Sequence, residues 1–85
     1  MNQFKIVGIA IKDRIKEASK TQAVLSKYAN IISARMGFHE VNEFTCSRIG
    51  FIVLQVIYNK ELYPHFIQEL KEIGGIEVQE MNFNL

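Results

Sequence analysis

The longest apolar stretch of the chain predicts a β-strand that is buried on both sides. It runs from Arg48 to Tyr58, is rich in β-branched and aromatic residues, and is too short to cross a membrane. Side chains alternate along a strand, so every second residue belongs to the same face. Both faces are apolar here, with Gln55 the main polar interruption. A strand of this kind must be covered on two sides.

A first strand and a first helix precede this stretch. Gln3 to Lys12 alternates like a strand and is again apolar on both faces. Asp13 suits the N-cap of a helix that the spacing extends from Arg14 to about Ala29. We expect its buried side to carry Ala18, Val24, Leu25, Tyr28 and Ala29. Its solvated side then carries Lys16, Glu17, Lys20 and Lys27.

The second half of the chain repeats the alternation of strand and helix. Ile31 to Met36 predicts a strand with a bend or bulge at Gly37, and residues 38–47 form the end of that strand and a hairpin connection whose shape the pattern does not define. Asn59 can cap a second helix, whose regular part we expect to begin near Pro64. The buried stripe of this helix comprises Leu62, Phe66, Leu70 and Ile73. Gly74-Gly75 is expected to end the helix with a left-handed C-cap, and Ile76 to Phe83 predicts the last strand.

The predicted element order is therefore β-α-β-β-α-β. With right-handed crossovers, this order gives an α+β, ferredoxin-like plait, in which one four-stranded antiparallel sheet has two helices on one face. The first and third strands are central in such a sheet, and they are the two segments that are apolar on both faces. Because 85 residues without a Ser/Gly-rich linker suit one domain, we predict a single domain over residues 1–85.

Two helices cover only one side of such a sheet. We assign to the helix side Val7, Ile9, Ile11, Ile52, Leu54 and Val56. The open side then carries Phe4, Ile6, Ala10, Ile49, Phe51, Val53 and Ile57. An apolar patch of this size exceeds the few hundred Å² that a monomer usually exposes. We therefore predict that these seven residues form an oligomer interface, and that the chain is a homodimer or homotetramer.

Composition narrows the classes of function. Hydrophobic residues make up 48% of the chain and charged residues 22%, which again favours burial between chains. The formal net charge is only +1, so we expect no direct contact with nucleic acid. Cys46 is the single cysteine, which excludes an internal disulfide and fits a reducing cytoplasm. We expect neither a signal peptide nor a membrane-spanning segment.

Candidate metal ligands and nucleophiles are few. His39, Cys46 and His65 lack the close doublet spacing of structural zinc sites, and nothing brings His65 to the other two. The sequence contains no phosphate-binding glycine motif and no nucleophile elbow. Two pairs of carboxylates fall on faces expected to be solvated, Glu69 with Glu72 and Glu77 with Glu80. We therefore predict no metal, no cofactor and no enzymatic activity.

Asp13, Arg14 and Arg35 are the candidate ligand-binding residues. Arg35 falls late in the second strand, where its guanidinium could bind a carboxylate of a ligand or of a neighbouring chain. The alternative is an edge-strand arginine with its charge in water. Asp13 and Arg14 lie at the first strand-to-helix turn, where plaits of this type often bind small anions at a helix N-terminus. Asp13 as a cap would compete with such an anion.

Four stretches, taken in their order and spacing, also carry a resemblance to a known family. They are Ile11-Lys-Asp-Arg14, Gln22 through Gly37, Arg48-Ile-Gly-Phe-Ile-Val-Leu54, and Leu70 through Phe83. Together they resemble the small regulators of the iron-only hydrogenase system. The resemblance implies the ferredoxin-like fold of ACT domains and of the nickel-responsive repressor's C-terminal domain, and it implies a role in regulation.

Departures from these patterns limit what the resemblance implies about sites. The nickel repressor's His pair would fall on Leu54 and Val56, and its Cys on about Leu62, none of which can bind nickel. The resemblance therefore implies no metal site. We also expect no DNA-binding ribbon-helix-helix segment, because Gln3 already begins the first strand. The glycine-bearing ligand turn of ACT domains corresponds to Lys12-Asp13-Arg14, which contains no glycine.

The leading hypothesis is a non-enzymatic, oligomeric, ACT-like module of the cytoplasm that senses a small-molecule effector. The resemblance links it to the iron-only hydrogenase system. The alternative is a structural or protein–protein interaction module without a small ligand. An enzyme is a third alternative, because plait folds host many functions and the fold alone decides none of them.

Overall fold

The computed structural model describes residues 3–38 and 49–85, and its elements follow the predicted order. The strands are β1 (Gln3–Ile11), β2 (Ile32–Phe38), β3 (Gly50–Ile57) and β4 (Ile76–Asn84). The helices are α1 (Arg14–Lys27) and α2 (Leu62–Lys71), and a short 3₁₀ turn, Ala29–Ile31, leads into β2. The predicted α+β fold with a βαββαβ layout is confirmed.

The four strands form one antiparallel sheet in the order β2-β3-β1-β4. β1 and β3 are the central pair, as predicted, and Val7 of β1 lies opposite Leu54 of β3 and Glu80 of β4. The β2–β3 register is irregular between Ile32 and Ala34, which indicates a bulge at the start of that edge strand. The sheet therefore has two edges of different regularity, β2 and β4.

The core lies between the sheet and the two helices. From the sheet it receives Val7, Ile9, Ile11, Leu54 and Val56, and Ile52 packs against it while partly buried. From the helices it receives Leu25, Tyr28, Tyr63, Phe66, Ile67 and Leu70. The predicted assignment of six strand residues to the helix side is confirmed. Apolar burial of this kind contributes roughly 25 cal/mol per Å² and is the main stabilising term.

The structure corrects the predicted ends of both helices. α1 ends at Lys27 rather than near Ala29, and Ile31 belongs to the 3₁₀ turn rather than to the second strand. α2 begins at Leu62, before Pro64, because the Asn59 side chain accepts hydrogen bonds from the next amides and nucleates the turn early. Pro64 is tolerated in the first turn, where few amides have a partner within the helix.

The structure also corrects the predicted faces of α1. Glu17, expected on the solvated side, is only 6% exposed, whereas Ala18 and Ala29, expected in the core, are exposed. The buried stripe is displaced around the helix and runs through Glu17, Thr21, Leu25 and Tyr28. The Glu17 side chain fits at this position because Gly75, which lies against it, has no side chain.

Gly75 lies after α2 in the left-handed region, with φ = 82°. The prediction that Gly74-Gly75 supplies the left-handed C-cap of the second helix is wrong, because α2 ends at Lys71 with Glu72 as its right-handed C-cap, and Gly75 belongs to the turn before β4. A Cβ added at Gly75 would lie 3.2 Å from the Glu17 side chain, so the glycine permits both the backbone turn and the close approach of α1. The Lys12 amide donates to the Gly75 carbonyl and ties this turn to the end of β1.

Candidate functional site

The turn between β1 and α1 begins the candidate site. Asp13 is the N-cap of α1, as predicted, and its Oδ1 accepts hydrogen bonds from the amides of Ile15 at 3.1 Å and Lys16 at 3.3 Å. These are the amides that an anion at the helix N-terminus would need. The cap therefore occupies the anion position, and Asp13 is not among the described residues that line the neighbouring cavity.

The candidate cavity lies between α1 and the β2–β3 side of the sheet, and its volume is about 250 Å³. Arg14 and Arg35, two of the three predicted ligand-binding residues, both line it. Its other described lining residues are Ile11, Ala18, Gln22, Gly37, Gly50, Phe51 and Ile52. The described lining thus combines two guanidinium groups and one amide with an apolar floor, and it contains no carboxylate.

Arg35 reaches the cavity because of strand register. It lies opposite Leu54, whose side chain is in the core, so Arg35 is on the helix side of the edge strand. Its Nη2 donates to Gln22 Oε1 at 2.9 Å. The residue is exposed, in keeping with the predicted alternative of an edge-strand arginine in water, yet the Gln22 amide fixes its direction. A guanidinium held in this way still has donors for a carboxylate.

Arg14 reaches the same cavity from the first residue of α1. A Cβ added at Gly50 would lie 3.5 Å from the Cβ of Arg14 and 3.7 Å from its Cδ, so the Arg14 stem passes over the start of β3. The aliphatic part of an arginine commonly packs in this way while its charged end lies elsewhere. Position 50 thus supports Arg14 by being small, a relation the sequence alone does not reveal.

Gln22 is a site residue that sequence analysis missed. Its Oε1 accepts from Arg35, and its Nε2 donates to Ser26 Oγ at 3.3 Å. Arg14, Ala18 and Gln22 are spaced by four residues, so they lie on one face of α1. The spacing of four residues could have identified Gln22 as a neighbour of Arg14, but the prediction had assigned Ala18, on the same face, to the core.

A second cavity of about 320 Å³ continues along the same groove between α1 and β2. Gln22 and Arg35 line both cavities, so their hydrogen-bonded pair lies between them. The other described lining residues of the second cavity are Leu25, Ser26, Ala29, Ile32, Ser33 and Ala34. This part of the groove has hydroxyl groups and backbone but no further described charge.

Two polar clusters outside the groove hold the helices in place. Glu69 of α2 accepts hydrogen bonds from the Tyr28 hydroxyl and from Lys27 Nζ at 2.9 Å, which joins α2 to the end of α1. The hydrogen bond from Tyr28, followed by that from Lys27, holds the pKa of Glu69 below its ordinary value. The same contacts with Glu69 raise the pKa of Tyr28 and of Lys27. These shifts follow from packing between helices, so they do not by themselves mark a reactive site.

The second cluster joins α2 to β4. The Tyr63 hydroxyl donates to Glu80 Oε1 at 2.6 Å, and Lys71 Nζ lies 3.8 Å from the other carboxylate oxygen. Burial, followed by the hydrogen bond to Glu80, raises the pKa of Tyr63 far above its ordinary value. Lys5 Nζ lies 5.0 Å from the centre of the Tyr58 ring and 5.3 Å from that of Tyr63, a cation–π arrangement.

The carboxylate pairs noted in the sequence are not acid–base pairs. Glu69 is engaged with α1, and Glu77 and Glu80 lie on opposite faces of β4. His65 is exposed on α2, whereas His39 and Cys46 lie outside the described residues. Within residues 3–38 and 49–85, no three His, Cys, Asp or Glu side chains are grouped in a way that could hold a metal ion.

The open face of the sheet is the second surface of interest. We use this name for the strand residues on the side opposite the helices, namely Phe4, Ile6, Gly8, Ala10, Ala34, Met36, Phe51, Val53, Gln55, Ile57, Glu77, Gln79, Met81 and Phe83. No element of the described chain covers it. Six of the seven predicted interface residues belong to it, and Ile49, the seventh, is exposed just before β3. Their role as an oligomer interface remains a prediction.

The open face is more apolar than the sequence indicated. Met36, Met81 and Phe83 are exposed on it, although the prediction did not include them. Their signal was the same alternation along β2 and β4, which placed Met81 and Phe83 on one face without identifying that face as the open one. In the described part of the chain, no helix is long and apolar enough to cross a membrane.

Comparisons with known proteins show the fold alone. No protein-family model matches the sequence, and no curated protein matches it. The chain is similar in structure to the uncharacterized protein TM1266 from Thermotoga maritima, with a TM-score of 0.82 and 21% sequence identity. The similarity covers 99% of this chain and 100% of the other. The whole fold is thus shared, while the identity is too low to assign an activity.

Proposed function

We propose that this chain is a regulatory module that senses a small carboxylate in the cavity between Arg14 and Arg35, and that it acts as a homodimer or homotetramer. The observation that carries the proposal is that Arg14 and Arg35, far apart in the sequence, line one cavity. The resemblance described above supports a regulatory role in the iron-only hydrogenase system, in the cytoplasm and without direct binding of nucleic acid.

The chemistry of the cavity indicates the class of ligand. Guanidinium groups bind carboxylates through paired, charge-assisted hydrogen bonds. The volume of about 250 Å³ lies just below the roughly 300–1,000 Å³ of pockets for drug-sized ligands, so it suits a metabolite. Ile11 and Ile52 in the floor favour a short apolar portion next to the carboxylate. A small carboxylic acid with a short aliphatic chain has all these properties.

We also propose that the chain has no enzymatic activity. The carboxylates and tyrosines with shifted pKa values, Glu69, Tyr28 and Tyr63, are paired with neighbours on adjacent elements. The described lining of the cavity contains arginines and an amide, which can bind and orient a ligand through hydrogen bonds. A sensor needs only the binding step.

A ligand screen tests the proposal. Thermal shift and calorimetric titration with small aliphatic carboxylates are expected to show binding, whereas the corresponding amides are not expected to bind, because a native-state ligand raises the melting temperature by mass action. Arg14→Gln or Arg35→Gln is expected to weaken binding by about 10- to 100-fold through loss of charge-assisted hydrogen bonds. Lys20→Gln, which removes the same charge from the exposed side of α1, serves as the matched control.

Two results would contradict the binding of a carboxylate in the cavity. If no carboxylate changes the melting temperature, or if Arg14→Gln and Arg35→Gln bind as tightly as the wild type, the cavity is not a carboxylate site. The second candidate function, a protein–protein interaction module without a small ligand, would then be favoured. Its supporting observation is the extent of the open face, whose large side chains are exposed together on one surface.

A further inference from the structure

The open face is apolar, and its charge is close to zero. The exposure of its large apolar side chains reaches 64% for Met36 and is still 37% for Val53 near the centre. Among its described residues Glu77 is the single ionisable one, and it lies on the edge strand in the last row of pairs. The described face thus has no lysine or arginine for an anionic lipid surface or an acidic protein. A surface of this composition is best complemented by one like itself.

We propose that a second copy of this chain covers the open face, sheet against sheet. This inference rests on the self-association in the proposed function and specifies the surface that mediates it; it does not depend on the ligand. Four strands about 4.8 Å apart, with about eight residues rising about 3.3 Å each, give a face of about 500 Å² in plan. Protruding side chains enlarge the accessible area towards the roughly 800 Å² per partner of a stable interface.

The shape of the face supports a self-complementary contact. Gly8 lies opposite Val53 on one side and Gln79 on the other, and its missing side chain leaves a hollow of about 220 Å³. The same face carries flexible protruding side chains, Met36 and Met81, each more than half exposed. Methionine adapts its shape to irregular gaps, so a methionine of the facing copy suits the hollow. One face therefore offers both the hollow and the side chains that would fill it.

Pairing through sheet edges does not account for these features. An edge contact buries backbone groups of β2 or β4 and leaves the open face as exposed as before. The β2 edge is interrupted by the bulge between Ile32 and Ala34, which disfavours a continuous ladder. The β4 edge carries Glu77 and Glu80, whose charges disfavour edge pairing. Face-to-face packing is the arrangement that covers the apolar side chains.

Charge insertion tests the inference. Gly8→Glu and Val53→Glu place a carboxylate at the centre of the open face, and a Cβ at Gly8 meets nothing within 4 Å, so the monomer accommodates it. Both variants are expected to raise the dissociation constant by about 100-fold or more in sedimentation equilibrium, because an unpaired charge would be buried. Ala23→Glu, the same charge change on the exposed side of α1, is expected to associate like the wild type.

Charge complementation separates an interface effect from misfolding. Mixing the Gly8→Glu chain with a Met81→Lys chain is expected to restore association as a hetero-oligomer, because the glutamate then faces a lysine in place of the methionine that would fill the hollow, while each chain alone stays dissociated. Recovery of circular dichroism on mixing would support the inference even if one variant folds poorly alone. Met81→Lys, on a side chain that is already 54% exposed, is a further variant whose folding is not at risk, and it too is expected to dissociate.

The possible results test face-to-face packing and self-association separately. If the wild type is oligomeric and Gly8→Glu, Val53→Glu and Met81→Lys are equally oligomeric, the face-to-face arrangement is wrong while self-association stands. If the wild type is a monomer at micromolar concentration in light scattering, self-association itself is wrong, and the inference is wrong with it. The carboxylate titration is read separately in either case, because Arg14 and Arg35 lie on the opposite side of the sheet.

Discussion

Val53 and Leu54 are neighbours on β3, yet one is 37% exposed and the other is fully buried. The two faces of the sheet are built from the same kinds of aliphatic and aromatic residues, so hydrophobicity alone does not distinguish them. The topology does, because both crossover helices pack on one side. The helix side therefore forms the core, and the open face leaves its apolar side chains exposed.

Polar groups differ between the two faces as well. On the helix side several of them form pairs between elements, such as Tyr28 with Glu69 and Tyr63 with Glu80, although Glu17 Oε2 is buried without a hydrogen-bond partner among the described residues. The arginines of the cavity lie on this side too. On the open face, the described polar residues are Gln55, Gln79 and Glu77, and Gln79 Nε2 donates to Glu77 Oε2 at 2.7 Å. The described charged groups are thus concentrated on the helix side, and the open face is mainly apolar.

A matched pair of substitutions on β3 gives the largest expected contrast. Val56→Ala removes two carbons from a fully buried side chain and is expected to lower the free energy of unfolding by about 2–3 kcal/mol. Val53→Ala, the same change on the open face, is expected to cost less than about 0.5 kcal/mol in dilute protein. Urea unfolding over a range of protein concentrations measures both. Equal losses at the lowest concentration would contradict the division between the faces.

Two glycines give the next contrast. Gly75→Ala introduces a Cβ at φ = 82° and 3.2 Å from Glu17, so the free energy of unfolding is expected to fall by about 1–2 kcal/mol. At Gly8 the added Cβ meets nothing, and Gly8→Ala is expected to be neutral or to stabilise the monomer by about 0.5 kcal/mol. Thermal unfolding of both variants measures the difference. A larger loss at Gly8 than at Gly75 would show that the open face is crowded.

The smallest expected effect is a change in how the free energy of unfolding depends on pH. Contacts with Tyr28 and Lys27 lower the pKa of Glu69 in the folded chain, so Glu69 stabilises the fold above its unfolded pKa. This contribution is lost as the pH falls through the lower folded pKa, in the range below about pH 4. Glu69→Gln is therefore expected to flatten the acid side of the stability curve in urea unfolding at several pH values.

Glu72→Gln is the control for the pH experiment, because Glu72 is an exposed acid of α2 outside the contacts with Tyr28 and Lys27. In this variant, the free energy of unfolding is expected to keep the acid-side pH dependence that Glu69 contributes. If the free energy of unfolding depends on pH in the same way in Glu69→Gln and Glu72→Gln, the contacts of Glu69 with Tyr28 and Lys27 do not determine the stability at acid pH.

The sequence was sufficient to predict most of the sheet. Alternation along β1 and β3 placed Val7 and Leu54 on the helix side, and Asp13 was recognisable as a cap from its position before an amphipathic segment. These features are local, since period and capping depend on residues within one element. The start of α2 was less accessible, because the Asn59 cap and Pro64 favour different first residues.

Features that depend on contacts between distant residues were not predictable. Glu17 looked like a solvated residue, because the glycine that makes room for it belongs to the turn before β4. The sequence proposed Arg14 and Arg35 separately, but only the packing of α1 against the β2–β3 side of the sheet brings them to one cavity. Gln22 was overlooked for the same reason, since its partner Arg35 lies on another element.

The position of β1 in the sheet has a consequence for the time course of folding. β1 is the first strand in the chain, but its two partners, β3 and β4, come much later, so that Gln3 lies opposite Asn84. No partner of β1 is available until most of the chain has been synthesised. Such distant pairings slow folding relative to a fold of the same size whose contacts are local. During synthesis, the apolar side chains of β1 are therefore exposed until β3 and β4 follow, and transiently exposed apolar surface of this kind favours aggregation.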